Sequence, residues 1–485
     1  MIGKRFRDGM TGFGVFGLLV VGLFALASCG GSSSTAGMGS ANVTMSDPPS
    51  DTTYSHVWVT IDGVEATTSS SDSGWQSLVS DLSSTAGKIK AIQVDLLNLP
   101  ANGQCLLAQL GSTQSLPAGN YQQIRLMLVA NNTPSSDVTL EPYVGESSSD
   151  VTNNCAPEWN CAQTSPTSTP VTLNLSSEAQ TGLKIPPGQV IGGPIDVAQG
   201  KSVDINIDFN ADRSIVEEGN GQLRLDPVLL AYEDSGASVN NTGISGQVVS
   251  GTLSGTTVTN GNAIPGALVA LEYSGASVPD GSLTADLIGN YFVTADSNGN
   301  FDFCPLPPDT TFNVVADAGT SSATATTGNY NATVITNVGG GNQITVPLLA
   351  ESGAAGTISG NVTGSGETAN FTADIFALQG ATSSLEFTVP LFSGSSPAMA
   401  QTSVSCTSSG CTSSPFTLSV PASAPLVGSF SAGNITWQTP VTSVSYNVAA
   451  TCASPQYGSP TFSGPQTMTS GSITLSSSLK LSGCS

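Results

Sequence analysis

Few side chains in this chain can do chemistry. His56 is the single histidine, which removes most acid–base and triad designs at once. It sits beside Val57 and Trp58 in a strand-like run, where a structural role is expected. Two Asp-Ser-Gly tripeptides, Asp72–Gly74 and Asp234–Gly236, have the composition of paired-carboxylate protease loops. Both lie in polar sequence without flanking apolar strands, and they read as turns. Hard oxygen donors cluster twice, as Asp204, Asp208, Asn210 and Asp212, and as Asp296, Asn298, Asn300 and Asp302. Calcium takes six to eight such oxygens, and it is the one cofactor these residue types suggest. Neither set follows the twelve-residue helix–loop–helix pattern, so solvated turns are expected at both. Trp159 lies between Cys155 and Cys161. An aromatic on a pinned loop has the rigidity that binding hot spots use, which makes it the candidate ligand contact.

The cysteines carry more information. There are nine, and beyond Cys29 they are Cys105, Cys155, Cys161, Cys304, Cys406, Cys411, Cys452 and Cys484. An even set suits disulfides in an oxidising compartment. Cys155 with Cys161 and Cys406 with Cys411 are spaced as local loop clips. Cys452 with Cys484 would lock the C-terminal strands, leaving Cys105 and Cys304 as an interdomain bond or two buried thiols. No pair has the Cys-x-x-Cys spacing of a zinc site. One cysteine is left over.

That cysteine is Cys29, and the residues before it form a leader. Lys4, Arg5 and Arg7 precede an apolar run from Phe13 to Ala27, shorter than the roughly 20 residues a membrane helix needs. The tetrad Leu26-Ala27-Ser28-Cys29 resembles the lipobox of bacterial lipoproteins. The resemblance implies a signal peptide over 1–28, lipidation of Cys29, and a membrane partner reached through acyl chains, which together anchor stably. Gly30 after the cysteine, by the same resemblance, implies the outer membrane, with the body facing the periplasm or the surface. Residues 29–40, rich in Gly and Ser, then form a flexible tether.

Composition excludes other partners. The formal net charge is −23, and no Lys or Arg occurs between Asp226 and Leu479. Nucleic-acid binding needs cations to neutralise phosphates and is excluded. Charged residues are only 9% against 39% hydrophobic, so the chain has apolar surface enough to fold.

Strand signals dominate. Val57, Val59 and Ile61 alternate with polar neighbours, and Val203, Ile205, Ile207 and Phe209 alternate with Asp204, Asn206 and Asp208. The second run predicts a half-buried antiparallel strand whose carboxylates face water. A helix is predicted only around Ser77 to Ile92. With 54 Gly and 28 Pro to make turns, the fold class is all-β, a series of antiparallel sandwiches. Polar punctuation divides the body into 41–234, 243–350 and 357–485, about the number of domains the length allows. The last two open alike, Gly243-Ile-Ser-Gly-Gln-Val248 and Thr357-Ile-Ser-Gly-Asn-Val362.

Two further resemblances follow. Met45-Ser-Asp-Pro-Pro49, His56-Val-Trp-Val-Thr-Ile-Asp-Gly-Val64, Leu116-Pro-Ala-Gly-Asn-Tyr-Gln-Gln-Ile-Arg-Leu126 and Asp208-Phe-Asn-Ala-Asp-Arg-Ser-Ile215 resemble the domain-of-unknown-function family 4382, found behind lipobox signals; it implies no activity. Ile244-Ser-Gly-Gln-Val248, Ile264-Pro-Gly-Ala-Leu-Val-Ala-Leu271 and Thr294-Ala-Asp-Ser-Asn-Gly-Asn-Phe-Asp-Phe303 resemble the carboxypeptidase regulatory-like, transthyretin-type sandwich. That likeness implies a non-catalytic spacer or adhesive module. Within it, Asn298-Gly299 predicts a type I′ hairpin turn. The last segment is expected to be a further Ig-like sandwich. Together these features predict a lipid-anchored, non-enzymatic envelope protein with a glycan or protein ligand. The contrasting expectation is a secreted carboxylate- or calcium-dependent glycan hydrolase.

Overall fold

Period-two alternation builds the first module. In the strand Met38–Ser46, Ala41, Val43 and Met45 are fully buried, and in Ser202–Phe209 the residues Val203, Ile205, Ile207 and Phe209 turn inward. These two strands sit in a five-stranded sheet ordered Val190–Ile191, Leu229–Glu233, Ser202–Phe209, Met38–Ser46 and Ala108–Pro117. Val57, Val59 and Ile61 of His56–Thr67 belong to a second, ten-stranded sheet and share one apolar core with the first.

The computed structural model describes residues 37–484, apart from 48–53, 72, 83–86, 100, 103–104, 145, 148–150, 166, 176–180, 218–221, 235–242, 275–290, 319–328, 352, 383–384, 391, 394–395, 398–399 and 453–459. The expected signal segment, Cys29, most of the expected tether, and Asp72 fall outside the described residues. Residues 37 to 485 form one compact unit. Among the described residues no helix is long and apolar enough to cross a membrane.

The fold class is all-β, with one four-residue helical turn at Ala211–Ser214. The helix expected around Ser77 to Ile92 does not form in the described part of that stretch. Ser80–Leu82 is a single 3-10 turn and Ile89–Asp95 is a strand. Gly87 at φ 79° cannot continue a right-handed helix. Pairing with Trp58–Ile61 then takes up the backbone of the following strand. The strand Ser202–Phe209 also departs from expectation. It pairs antiparallel with Leu229–Glu233 but parallel with the N-terminal strand, and Asp208 is only 3% exposed.

In the second module Ile244–Ser254 lies parallel to Asn342–Leu349 and antiparallel to Asn300–Phe303. The facing sheet contains Tyr291–Thr294, Leu268–Tyr273, Thr311–Asp317 and Thr333–Gly339. The expected type I′ hairpin is absent. Only Gly299 has positive φ, 75°, whereas type I′ needs two such residues. The turn joins strands of different sheets, and Asp296 closes it by accepting from the Asn298 and Asn300 amides at 2.8 Å each.

The third segment has its own core, yet its sheets are not its own. Leu426–Ser431 adds in parallel to Thr333–Gly339 and carries Asn434–Trp437 with it, so a six-stranded sheet crosses the expected boundary at 351–356. Phe430, Ile435 and Trp437 pack on the second core, while Val315, Ala332 and Val334 join the third. The polar punctuation separates the cores and leaves the sheets continuous.

The repeated Ile-Ser-Gly opening has a packing reason. Gly246 stands opposite Phe301 and Gly360 opposite Phe416 in antiparallel register. A Cβ on Gly246 would lie 2.6 Å from the Phe301 ring and 2.3 Å from the Ile344 carbonyl oxygen. One on Gly360 would lie 2.7 Å from the Phe416 ring. In each module the glycine lets a neighbouring ring lie across the strand. Gly246→Ala and Gly360→Ala are each expected to cost roughly 1–3 kcal/mol. Thermal unfolding should show a larger loss for Gly246→Ala, where rigid backbone rather than a movable ring blocks the methyl.

Candidate functional site

The sheet face opposite the first core carries a polar seam. Asn42, Thr44 and Ser46 alternate with the buried residues of the N-terminal strand, and parallel register sets them against Asp204, Asn206 and Asp208. Each rung is hydrogen-bonded. Asn42 Nδ2 donates to Asp204 Oδ1 at 2.6 Å, Thr44 Oγ1 to Asn206 Oδ1 at 3.0 Å, and Ser46 Oγ to Asp208 Oδ1 at 3.0 Å. Asn206 Nδ2 crosses between rungs, donating to Ser46 Oγ at 2.7 Å and Tyr232 Oη at 2.9 Å. Asp204 is exposed, and Asn206 and Asp208 are buried.

The last rung is closed from another module. Tyr291, fully buried in the second module, donates its hydroxyl to Asp208 Oδ2 at 2.9 Å. Both oxygens of Asp208 therefore accept neutral hydroxyls from different parts of the chain, and none of the described ion pairs involves it. Burial pushes the Asp208 carboxyl up to about 7, against the smaller opposing effect of the Tyr291 and Ser46 hydrogen bonds. Burial, followed by the nearby Asp208 charge, raises the Tyr232 and Tyr291 hydroxyls well above the ordinary phenol value. This geometry buries the Asp208 carboxyl in a module contact and leaves no exposed edge there for a substrate.

Asp204 and Asp208, two of the candidate calcium ligands, are held apart. Asp204 and Asp208 lie four residues apart on one extended strand, about 13 Å at 3.3 Å per residue, and each is committed to a different rung. Asn210 is buried after the strand, and the Asp212 side chain lies outside the described residues. In the second set, Asp296 is consumed by its own turn. Backbone amides there, that of Asn300 foremost, hold its carboxyl below the ordinary value. Among the described residues no group of three or more His, Cys, Asp or Glu is arranged to hold a metal ion.

Trp159 is not a presented aromatic. It is 3% exposed, packs with Ala91, Val129 and Val138, and donates its indole N–H to the Thr133 carbonyl at 2.8 Å. Asn160 fixes the same loop by accepting from the Thr60 amide at 2.9 Å. The short disulfide loop therefore covers the sheet and has no free ring to offer a ligand. His56 is also structural: its Nδ1 lies 2.6 Å from Asp95 Oδ2 and its ring stacks on Trp58 at 4.7 Å. Asp234 is buried and its amide bonds back to the Asp204 carbonyl at 2.7 Å.

Four disulfides join Cys105 to Cys304, Cys155 to Cys161, Cys406 to Cys411 and Cys452 to Cys484. The first spans 199 residues and ties the first module to the second. It is the covalent companion of the Asp208–Tyr291 contact. Nothing in the sequence singles out Tyr291, Ser46 or Asn206 as members of one site. Alternating Asn42, Thr44 and Ser46 hinted at a polar face, but nothing local marked its partner.

Residues 38–227 match the model of a family described as a domain of unknown function (DUF4382). No curated protein matches the chain. Among solved structures, the chain is similar to the Bacillus anthracis TIE protein at 8% identity, over 92% of this chain and 50% of that one, with a TM-score of 0.13. It is similar to a Streptococcal ancillary pilin at 10% identity, over 91% of this chain and 98% of that one, with a TM-score of 0.16. The full-length major pilin SpaD from Corynebacterium diphtheriae gives 8% identity over 46% and 66% of the two chains, with a TM-score of 0.16. Likenesses of this size carry no argument about function.

Two measurements check this geometry. Replacing Cys105 and Cys304 together by Ser should lower the unfolding free energy by roughly 4–5 kcal/mol, the loop-closure entropy of so long a crosslink; denaturant unfolding of both forms measures it. Trp159→Ala should cost about 3–5 kcal/mol as a core truncation. A surface tryptophan would cost far less in the same titration.

Proposed function

We propose that this chain is a lipid-anchored, non-enzymatic protein of the bacterial cell envelope, its modules serving as a rigid carrier for adhesion to a glycan or protein. The observation that carries the reading is the pairing of eight cysteines into four disulfides. Disulfides persist in exported proteins and are rare where thiols are kept reduced. The pairing leaves Cys29 as the one thiol available for acylation, and Leu26-Ala27-Ser28-Cys29 gives it the context of a lipobox. Outer-membrane placement rests on Gly30 following the cysteine. The resemblance of 244–303 to a carboxypeptidase regulatory-like sandwich supports a spacing or adhesive role for the second module. His56 has its Nδ1 against Asp95 and its ring stacked on Trp58, and among the described hydrogen bonds no Ser, Thr or Cys side chain reaches the imidazole.

Metabolic labelling with palmitate and membrane fractionation test the anchor. The native chain should label and sediment with the outer membrane, and Cys29→Ser should lose both properties. A Cys29→Ser form that stays membrane-bound and labelled would overturn it. Turnover of any member of a polysaccharide and peptide panel by the purified chain would overturn the non-enzymatic reading. Surface exposure calls for shaving by a broad-specificity protease, because trypsin finds no Lys or Arg between Asp226 and Leu479.

A further inference from the structure

Asp208 is 3% exposed at the contact between two modules. Its surroundings can be named element by element. The N-terminal strand presents Ser46, which donates to Oδ1 at 3.0 Å. On its own strand, Asn206 reaches across to Ser46 and Tyr232, and Asp204 is exposed and bonded to Asn42. Leu229–Glu233 presents Tyr232, with buried Asp234 just beyond it. The second module presents Tyr291, donating to Oδ2 at 2.9 Å, and Tyr273 beside Tyr291 in the same phenol cluster. Among the described residues, the groups whose charge acts on the Tyr232 and Tyr291 hydroxyls are phenols and carboxylates, namely Asp208, Asp234, Tyr232 and Tyr273. The second module contributes no cation, since Lys and Arg are absent from Asp226 to Leu479.

Among the described residues, an ion at Asp208 has two hydroxyl donors and no cation paired with it, which is a costly arrangement. A neutral acid has no such penalty. Ser46 Oγ can donate to a carboxylate or accept from a carboxylic acid at the same separation, so the seam accommodates either form while favouring the neutral one.

We propose that the seam between the first and second modules is a proton-operated latch. With a proton on Asp208 the modules close over it; when the proton passes to bulk water in neutral or alkaline medium, the contact through Tyr291 loosens. The Cys105–Cys304 disulfide keeps the two modules joined while the latch is open. The sign follows from burial. The closed form binds the proton up to about pH 7, whereas an exposed aspartate releases it near its ordinary 3.8. The closed state is therefore fully favoured below the exposed value and loses its advantage as pH rises through that of the closed form. This inference goes beyond the envelope reading and holds wherever the chain resides.

Hydrogen exchange of the full chain in detergent, followed by mass spectrometry from pH 4 to 8 and corrected for the intrinsic pH dependence of exchange, reads the latch directly. Opening at Ser202–Phe209 and Tyr291–Thr294 should rise by up to about tenfold per pH unit between the two aspartate values and then level off. Core amides of Phe371–Gly380 in the third module should keep their protection throughout. Asp208→Asn, neutral at every pH, should abolish the slope and remain closed at pH 8. Tyr291→Phe removes a hydroxyl that stabilises the ionised form, and it should move the transition to higher pH; this variant serves if Asp208→Asn does not fold. Equal protection at pH 5 and pH 8 in the native chain would overturn the proposal. So would a slope that persists in Asp208→Asn, a Tyr291→Phe transition that stays in place, or parallel loss of protection in the third module.

Discussion

Buried carboxylates in this protein have almost no cations to meet, and the arrangement of its modules depends on how neutral donors hold them instead. Asp208 takes hydroxyls from Ser46 and Tyr291. Glu272, 2% exposed in the second module, accepts from the Thr388 amide of the third at 2.6 Å. Glu351 accepts the Ser423 amide at 2.7 Å and the Ala422 amide at 3.3 Å, and burial still keeps its carboxyl above the ordinary value. Glu367 caps the Gly483 amide at 2.6 Å. Each of these contacts joins segments far apart in the chain. Amides and hydroxyls satisfy these oxygens where a salt bridge would bring a cation, and at Asp208 and Glu351 burial outweighs their preference for the ionised acid.

Covalent and apolar links act in parallel with these. The Cys105–Cys304 bond crosses the first junction, and a shared six-stranded sheet crosses the second. Val334 and Ile335 show how closely the last two modules are joined: adjacent in one strand, they point into different cores. The strand is common property of two sandwiches, so neither can shed it. The two junctions therefore differ in kind. The second is a continuous backbone ladder, while the first pairs a disulfide with a titratable hydrogen bond.

Much of the fold was legible because it is written locally. Alternation of Val57, Val59 and Ile61 against polar neighbours requires only a strand with one buried face. Cysteines six and five residues apart can close short loops whatever surrounds them. Other features were illegible for an equally definite reason. Ser77 to Ile92 has the composition of a short helix, but Gly87 takes positive φ and the next segment pairs with Trp58–Ile61. Trp159 looks presented by its loop until Thr133 is seen to accept its indole proton. The repeated Ile-Ser-Gly was visible, although its meaning needed Phe301 and Phe416 lying across the two glycines.

The sequence by itself determined an all-β chain, an odd cysteine behind an apolar stretch, and a second half almost free of cations. Those properties depend on residue type and near spacing. Only the tertiary structure decided that Asp208 is a buried acid at a module contact and not a solvated strand carboxylate. Its alternation with Ile205 and Ile207 specifies a face of the sheet but not what covers that face. The cover is Tyr291, 83 residues further on, and no local pattern encodes a contact of that range.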